Sequence, residues 1–228
     1  MIRFAVIGLG RFGRRLAADL SEHGQKVVAV DVRPEVVEQI REVVTRAVCL
    51  DATEAKALKA HDIHKVETAV IAIGDHHFGT AVLITAALKE LGVARVVARA
   101  SEPLEARVLS RLGVDQIICP EEETAVRFAY QLANPDLFEY IALTEGHSLV
   151  QVKAPEQFHN KTLGQIDLRK KFSVNLVAIK KQVAATRSDG VQTHEEEIID
   201  VPLADTVIRP DDILVLVGAV ENLAKLPT

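Results

Sequence analysis

The chain has 228 residues, with 27 Lys and Arg against 32 Asp and Glu, for a formal net charge of −5 at pH 7. That balance leaves no basic footprint for nucleic acid, and no apolar run approaches the roughly 18 residues that cross a bilayer. With 48% apolar and 26% charged residues it reads as a globular chain with room for one large core or two smaller ones. The first residues lead straight into a strand, so no signal peptide is expected. Cys49 and Cys119 read as small buried hydrophobes of a reducing compartment.

Phe4-Ala5-Val6-Ile7 reads as a buried strand that enters Gly8-Leu9-Gly10-Arg11-Phe12-Gly13. A strand, G-x-G-x-x-G and an amphipathic helix form the nucleotide-binding turn of a Rossmann unit. Gly8 permits the tight turn, Gly10 lets a pyrophosphate approach the backbone, and Gly13 lets the helix pack closely on the sheet. The free N–H groups and positive end of that helix would face the phosphates. Leu16, Ala17 and Leu20 give the helix its apolar face, and Gly24 stops it. A second strand, 26–31, ends at Asp31, 18 residues after Gly13, about where this fold accepts ribose hydroxyls. An Asp31 that only caps the helix beginning at Pro34 is the ligand-free alternative.

Strand three, Ala47 to Leu50, ends at Asp51-Ala52-Thr53, and a short helix covers 54–60. A long apolar strand from Val66 to Ile73 ends in Gly74-Asp75, followed by a helix over 77–91. Arg95 to Ala98, the helix Pro103 to Leu112, Gln116 to Cys119 and a helix over 121–133 continue the alternation. This predicts an α/β fold, a doubly wound parallel sheet of order 3-2-1-4-5-6 with its ligand at the C-terminal strand ends. After Asn134-Pro135-Asp136 the pattern changes. A short apolar segment at 137–143 precedes strands at 148–152, 175–179, 197–201 and 213–217. The expected division is therefore 1–137, including a connecting helix at 120–137, and a smaller α+β domain at 138–228. The polar stretch 182–196, with Ser188-Asp189-Gly190, reads as a mobile hairpin.

Phe4 to Gly13, Val30-Asp31, Leu50 to Thr53, Ala72 to Gly74 and Ile117 to Glu121 occur in the order of a regulator-of-potassium-conductance (RCK) domain, which the chain resembles. Arg169 to Lys180 and Asp212 to Gly218 resemble the C-terminal RCK subdomain. The resemblance is to cytosolic regulatory subunits of Ktr/Trk-type potassium uptake systems. It implies a gating-ring protein rather than an enzyme, built of homodimers assembled into an octameric ring beneath a membrane-embedded potassium-transporting subunit. It implies a cytoplasmic protein held at the inner face of the membrane by that partner, without direct insertion. It also implies that ATP or ADP, alternatively NAD(H), is bound without turnover and sets the shape of the ring.

Several residues then acquire expected roles, each beside an ordinary alternative. Arg11, in the loop with Gly8, Gly10, Phe12 and Gly13, would reach phosphate, including that of a neighbouring subunit; otherwise it is a solvated arginine. Asp31 would take ribose hydroxyls beside Val32, with Arg33 softening its repulsion of a 2′-phosphate. Asp51, Ala52 and Thr53 would border the adenine, unless Thr53 only caps a helix. Ile73 and Gly74 form the next strand end, and Arg99 is either a phosphate ligand or a surface ion pair. The family places a cation, Mg or another, at Glu121. Alone that acid needs phosphate oxygens as co-ligands, and otherwise it complements the helix dipole. Arg169 and Asn175, flanking a Lys170-Lys171-Phe172 turn, would bind cyclic di-AMP or are plain surface. All eight histidines read as surface or capping residues. An NAD-dependent oxidoreductase is the enzyme alternative, but the tail holds no His–Asp or Lys–Tyr pair at a recognisable spacing. A redox-sensing regulator would need a DNA-binding module, for which there is no pattern.

Overall fold

Short apolar runs separated by helices assemble here as strands buried on both faces. The computed structural model describes residues 2–74, 77–134, 136–186, 192–199 and 201–227. Its contacts divide the chain into two units, Met1–Glu123 and Thr124–Thr228. This division lies upstream of the 137/138 boundary expected from the sequence. The second half of the connecting helix packs on the strand that succeeds it: Tyr130 stacks on Tyr140 at 4.2 Å, and Gln131 Nε2 donates to the Phe138 carbonyl at 2.7 Å.

In the first unit, β1 (Phe4–Ile7), β2 (Val27–Asp31), β3 (Arg46–Cys49), β4 (Thr68–Ile71), β5 (Arg95–Arg99) and β6 (Gln116–Ile118) form one parallel sheet. The order is β3-β2-β1-β4-β5-β6, as expected. The helices between them are α1 (Arg11–Glu22), α2 (Pro34–Ile40), α3 (Ala55–Ala60), α4 (Phe78–Glu90) and α5 (Pro103–Arg111), and α6 (Pro120–Ala133) follows β6. One apolar cluster joins the sheet to α1 and α2 through Ala17, Val36 and Ile40. A second joins it to α3, α4 and α5 through Leu58, Leu88 and Leu109. Every residue of β2 is buried, and burial of each of its valines contributes on the order of 1.5–3 kcal/mol. Strand β4 is shorter than its apolar run. A 3₁₀ turn at Ile63–Lys65 takes up the chain before it, and Ile73 beyond it sits over Gly8.

The second unit carries an antiparallel sheet of β7 (Leu137–Thr144), β8 (His147–Lys153), β9 (Asn175–Thr186), β10 (Gln192–Ile199) and β11 (Ile213–Ala219), in the order β10-β9-β11-β8-β7. Ile179, Leu214 and Leu216 are fully buried in its separate core. β9 and β10 pair as a hairpin from Ile199↔Ile179 to Gln192↔Thr186; Ser188, Asp189 and Gly190 lie outside the described residues. Two short helices, α7 (Leu163–Ile166) and α8 (Leu168–Phe172), precede β9, and α9 (Val220–Leu223) follows β11. The expected turn at Lys170–Phe172 is thus the end of α8, held by Leu168 in the core and by Phe172 edge-on to Phe158. No helix among the described residues is long and apolar enough to cross a membrane.

Candidate functional site

In the six-stranded sheet, β1 lies between β2 and β4, with Ile7 opposite both Val30 and Ile71. The chain leaves β1 toward one face and β4 toward the other, and this divergence opens a crevice beyond the strand ends. A cleft of about 700 Å³ occupies it, within the range of small-molecule sites.

Gly8 turns the chain there with φ +93°, a conformation that side chains rarely adopt, and a Cβ would lie 2.9 Å from Ile73 Cγ1. Gly13 lies against the turn itself. A Cβ on it would come 1.9 Å from the Gly8 carbonyl oxygen. Gly10 differs: a Cβ there would meet nothing within 4 Å. It precedes α1, and the amides of Gly10, Arg11, Phe12 and Gly13 find no acceptor among the described residues. Open space in front of free N–H groups at a helix N-terminus suits an anion such as phosphate. Arg11 is exposed, lines the cleft, and makes no hydrogen bond or ion pair among the described residues.

Asp31 ends β2 and is 7% exposed. Its carboxylate accepts from the Leu9 amide at 2.7 Å, the Arg33 amide at 3.0 Å, and Arg33 Nε and Nη2 at 3.0 and 3.1 Å. Burial pushes the carboxyl up, but these hydrogen bonds outweigh it and hold it below the ordinary aspartate value. Arg33, not Asp31, is the residue that precedes α2 as its cap. Val32 and Arg33 also line the cleft.

On the next strand end, Asp51 and Ala52 line the cleft. Thr53 does not cap α3, whose cap position is Glu54. Its hydroxyl and amide donate to Asp51 Oδ1 at 2.7 and 2.9 Å, which holds that carboxyl below its usual range. Ile73, Gly74, Arg99 and Glu121 form the opposite wall. The absent side chain of Gly74 leaves room for Arg99, whose Nη1 stands 3.5 Å from where a Cβ would be. Arg99 Nη2 pairs with Glu121 Oε1 at 2.6 Å, so two candidate ligand groups engage each other. Among the described residues no three His, Cys, Asp or Glu side chains gather, so a cation at Glu121 needs oxygens supplied by a ligand.

The cleft therefore gathers all the expected residues of this unit except Gly13, which lies beneath it, and Thr53, which acts on Asp51. It also includes residues that spacing did not suggest: His77, Thr80 and Ile84 from the start of α4. His77 precedes α4 but its side chain caps nothing. Arg169 on α8 and Asn175 at the start of β9 are exposed in the second unit. Cys49 corrects its expected burial: it is exposed because it ends β3, the edge strand, and its thiol donates to the Val32 carbonyl at 3.4 Å. Cys119 is half-buried; burial, then the carboxylates of Glu122, Glu123 and Glu121, push its thiol up, the reverse of what a nucleophile needs.

Comparisons with known proteins agree with this arrangement. A TrkA-N domain matches residues 4–120, and a TrkA-C domain matches residues 148–226. Ktr system potassium uptake protein C of Bacillus subtilis (strain 168) is 35% identical over 222 residues, covering 97% of this chain and 94% of its own length. Ktr system potassium uptake protein A of the same organism is 31% identical over 223 residues, covering 98% and 94%. Among solved structures, the GsuK RCK domain superposes on 97% of this chain with a TM-score of 0.63 at 17% identity, and the GsuK channel with 0.65 at 18%. This chain spans 46% and 38% of those longer proteins, and the likeness concerns the fold. Carrying both domains in this order, and alike from end to end to two Ktr proteins, the chain belongs to the family of RCK-domain regulatory subunits of potassium uptake systems.

Proposed function

We propose that the cleft binds an adenine nucleotide without turning it over, and that the nucleotide sets the state of a ring that gates a membrane-embedded potassium-transporting subunit. The observation that carries this reading is the open space at Gly10 in front of four unpaired amides. In size and in its carboxylate-and-glycine wall the cleft suits ATP or ADP, with NAD(H) as the alternative; the solved GsuK channel bound to NAD has the same fold. A magnesium ion or another cation would sit between the phosphates and Glu121, once Arg99 has released that carboxylate.

Arg11 is the residue placed to tell ATP from ADP, because its guanidinium is uncommitted and stands at the phosphate end. A charge-assisted hydrogen bond is worth about 1.5–3 kcal/mol, so Arg11→Ala should weaken ATP binding by roughly 10- to 100-fold and leave ADP nearly unchanged. Calorimetry with ATP, ADP, NAD and NADH, beside potassium flux in vesicles holding the membrane subunit, tests both steps. Wild-type protein that binds none of the four would overturn the reading.

Assembly into homodimers and an octameric ring has support in the connecting helix. No residue of α6 is buried, and Phe128, Leu132, Phe138 and Ile141 on α6 and β7 are each about half exposed or more. A bare apolar helix of this kind suits a second copy of the chain. Phe128→Asp with Leu132→Asp should shift light scattering from assembled to smaller species; unchanged mass in the double variant would remove α6 from the interface.

A further inference from the structure

The ribose side of the cleft is already satisfied without a ligand. An ionised carboxylate offers about four acceptor positions, and those of Asp31 are all taken. Two donors are backbone amides, of Leu9 and Arg33, fixed by the glycine turn and by the entry to α2. The other two, Nε and Nη2, belong to the Arg33 guanidinium, whose side chain is 53% exposed. Only this second pair can leave without disturbing the fold. Its departure removes no core packing, and the side chain makes no capping bond to α2.

We propose that Arg33 is a latch on this site: its guanidinium occupies Asp31 until the two hydroxyls of an adenosine ribose take its place. The inference rests on the nucleotide reading above and adds to it. In the exchange two N–H donors are lost and two O–H donors gained, so the ribose contributes little net affinity while the latch is present. Arg33 is then a specificity-determining residue. It levels ligands at the ribose end, which they share, and leaves selection among them to the phosphate end.

The test compares ADP with 2′,3′-dideoxy-ADP in wild type and Arg33→Ala, with full-length protein shown to be folded by circular dichroism. Loss of one positive charge acts on both diphosphates alike, so the ratio of the two affinities is the readout. In wild type ADP should be favoured only slightly. In Arg33→Ala the preference should widen by about 2- to 5-fold, the range of a half-exposed ion pair. A ratio that stays the same or narrows overturns the latch, because a merely structural role, or direct contact of Arg33 with phosphate, gives that result. Wild type that binds neither diphosphate overturns the nucleotide reading instead, which keeps the two failures apart.

Discussion

Gly10→Val should leave the protein folded and lower its affinity for ADP or ATP by about 1,000-fold or more. The native backbone at Gly10, φ −65° and ψ −170°, is extended and open to any residue, and a Cβ there meets nothing within 4 Å. The cost to the fold is that of a poor helix cap, about 1 kcal/mol. The cost to the ligand is larger. A phosphate oxygen must come within about 2.7–3.2 Å of the amides that open α1, and the valine methyls occupy that space. Each charge-assisted bond lost is worth about 1.5–3 kcal/mol, so two or three of them account for the expected fall. Calorimetry on a variant whose circular dichroism shows it folded, with a melt only a few degrees below the parent's, is the measurement. Undiminished affinity would move the phosphates away from this loop.

Most of the first unit could be read from the chain because parallel strands buried on both faces appear as unbroken apolar runs. The apolar stretches 4–7, 27–30 and 96–98 within β1, β2 and β5 are such runs, and the glycine turn ties them to an order and to a ligand edge. Spacing hides which side chains meet across elements. Arg99 and Glu121 come from β5 and α6 and pair at 2.6 Å. Arg33 closes on Asp31 two residues away, a geometry set by the bend into α2. His77, Thr80 and Ile84 join the cleft because α4 begins beside it, and α4 is apolar around most of its circumference, so no stripe marked the side it presents.

In the second unit three strands could be read near their places, the one expected at 197–201 is the end of a β10 that begins at Gln192, and their order could not be read. β11 pairs with both β8 and β9, contacts between strands far apart in sequence that local pattern does not encode. The short helix α7 did leave a signal. Thr162-Leu163-Gly164-Gln165 is a capping box, with the Thr162 hydroxyl accepting from the Gln165 amide at 3.3 Å and the Gln165 side chain accepting from the Thr162 amide at 2.9 Å.

Gly13→Ala should be the most damaging glycine-to-alanine change among the described residues. Its Cβ would stand 1.9 Å from the Gly8 carbonyl oxygen and 3.0 Å from the Ala72 Cβ, and the first of these is backbone that cannot rotate away. Relief requires α1 to move off the turn that follows β1. That turn is itself pinned, with Gly8 donating to the Val30 carbonyl at 2.8 Å and Leu9 donating to Asp31. Moving α1 also opens the cluster of Leu9, Ala17, Val37 and Ile40, so strain and lost burial add. We expect a cost of about 3–5 kcal/mol, a large share of the roughly 5–15 kcal/mol that holds a domain folded. In urea the first unit should unfold at a midpoint lower by about 1 M or more. The second unit keeps its own core around Leu214 and Leu216, so its transition should stay in place as an internal reference. Gly10→Ala, three residues earlier, should shift the first transition by only about 1 kcal/mol, because its methyl enters open space. If Gly13→Ala melts with the parent, α1 does not rest on the Gly8 carbonyl, and the close helix–turn packing assigned to that glycine is wrong.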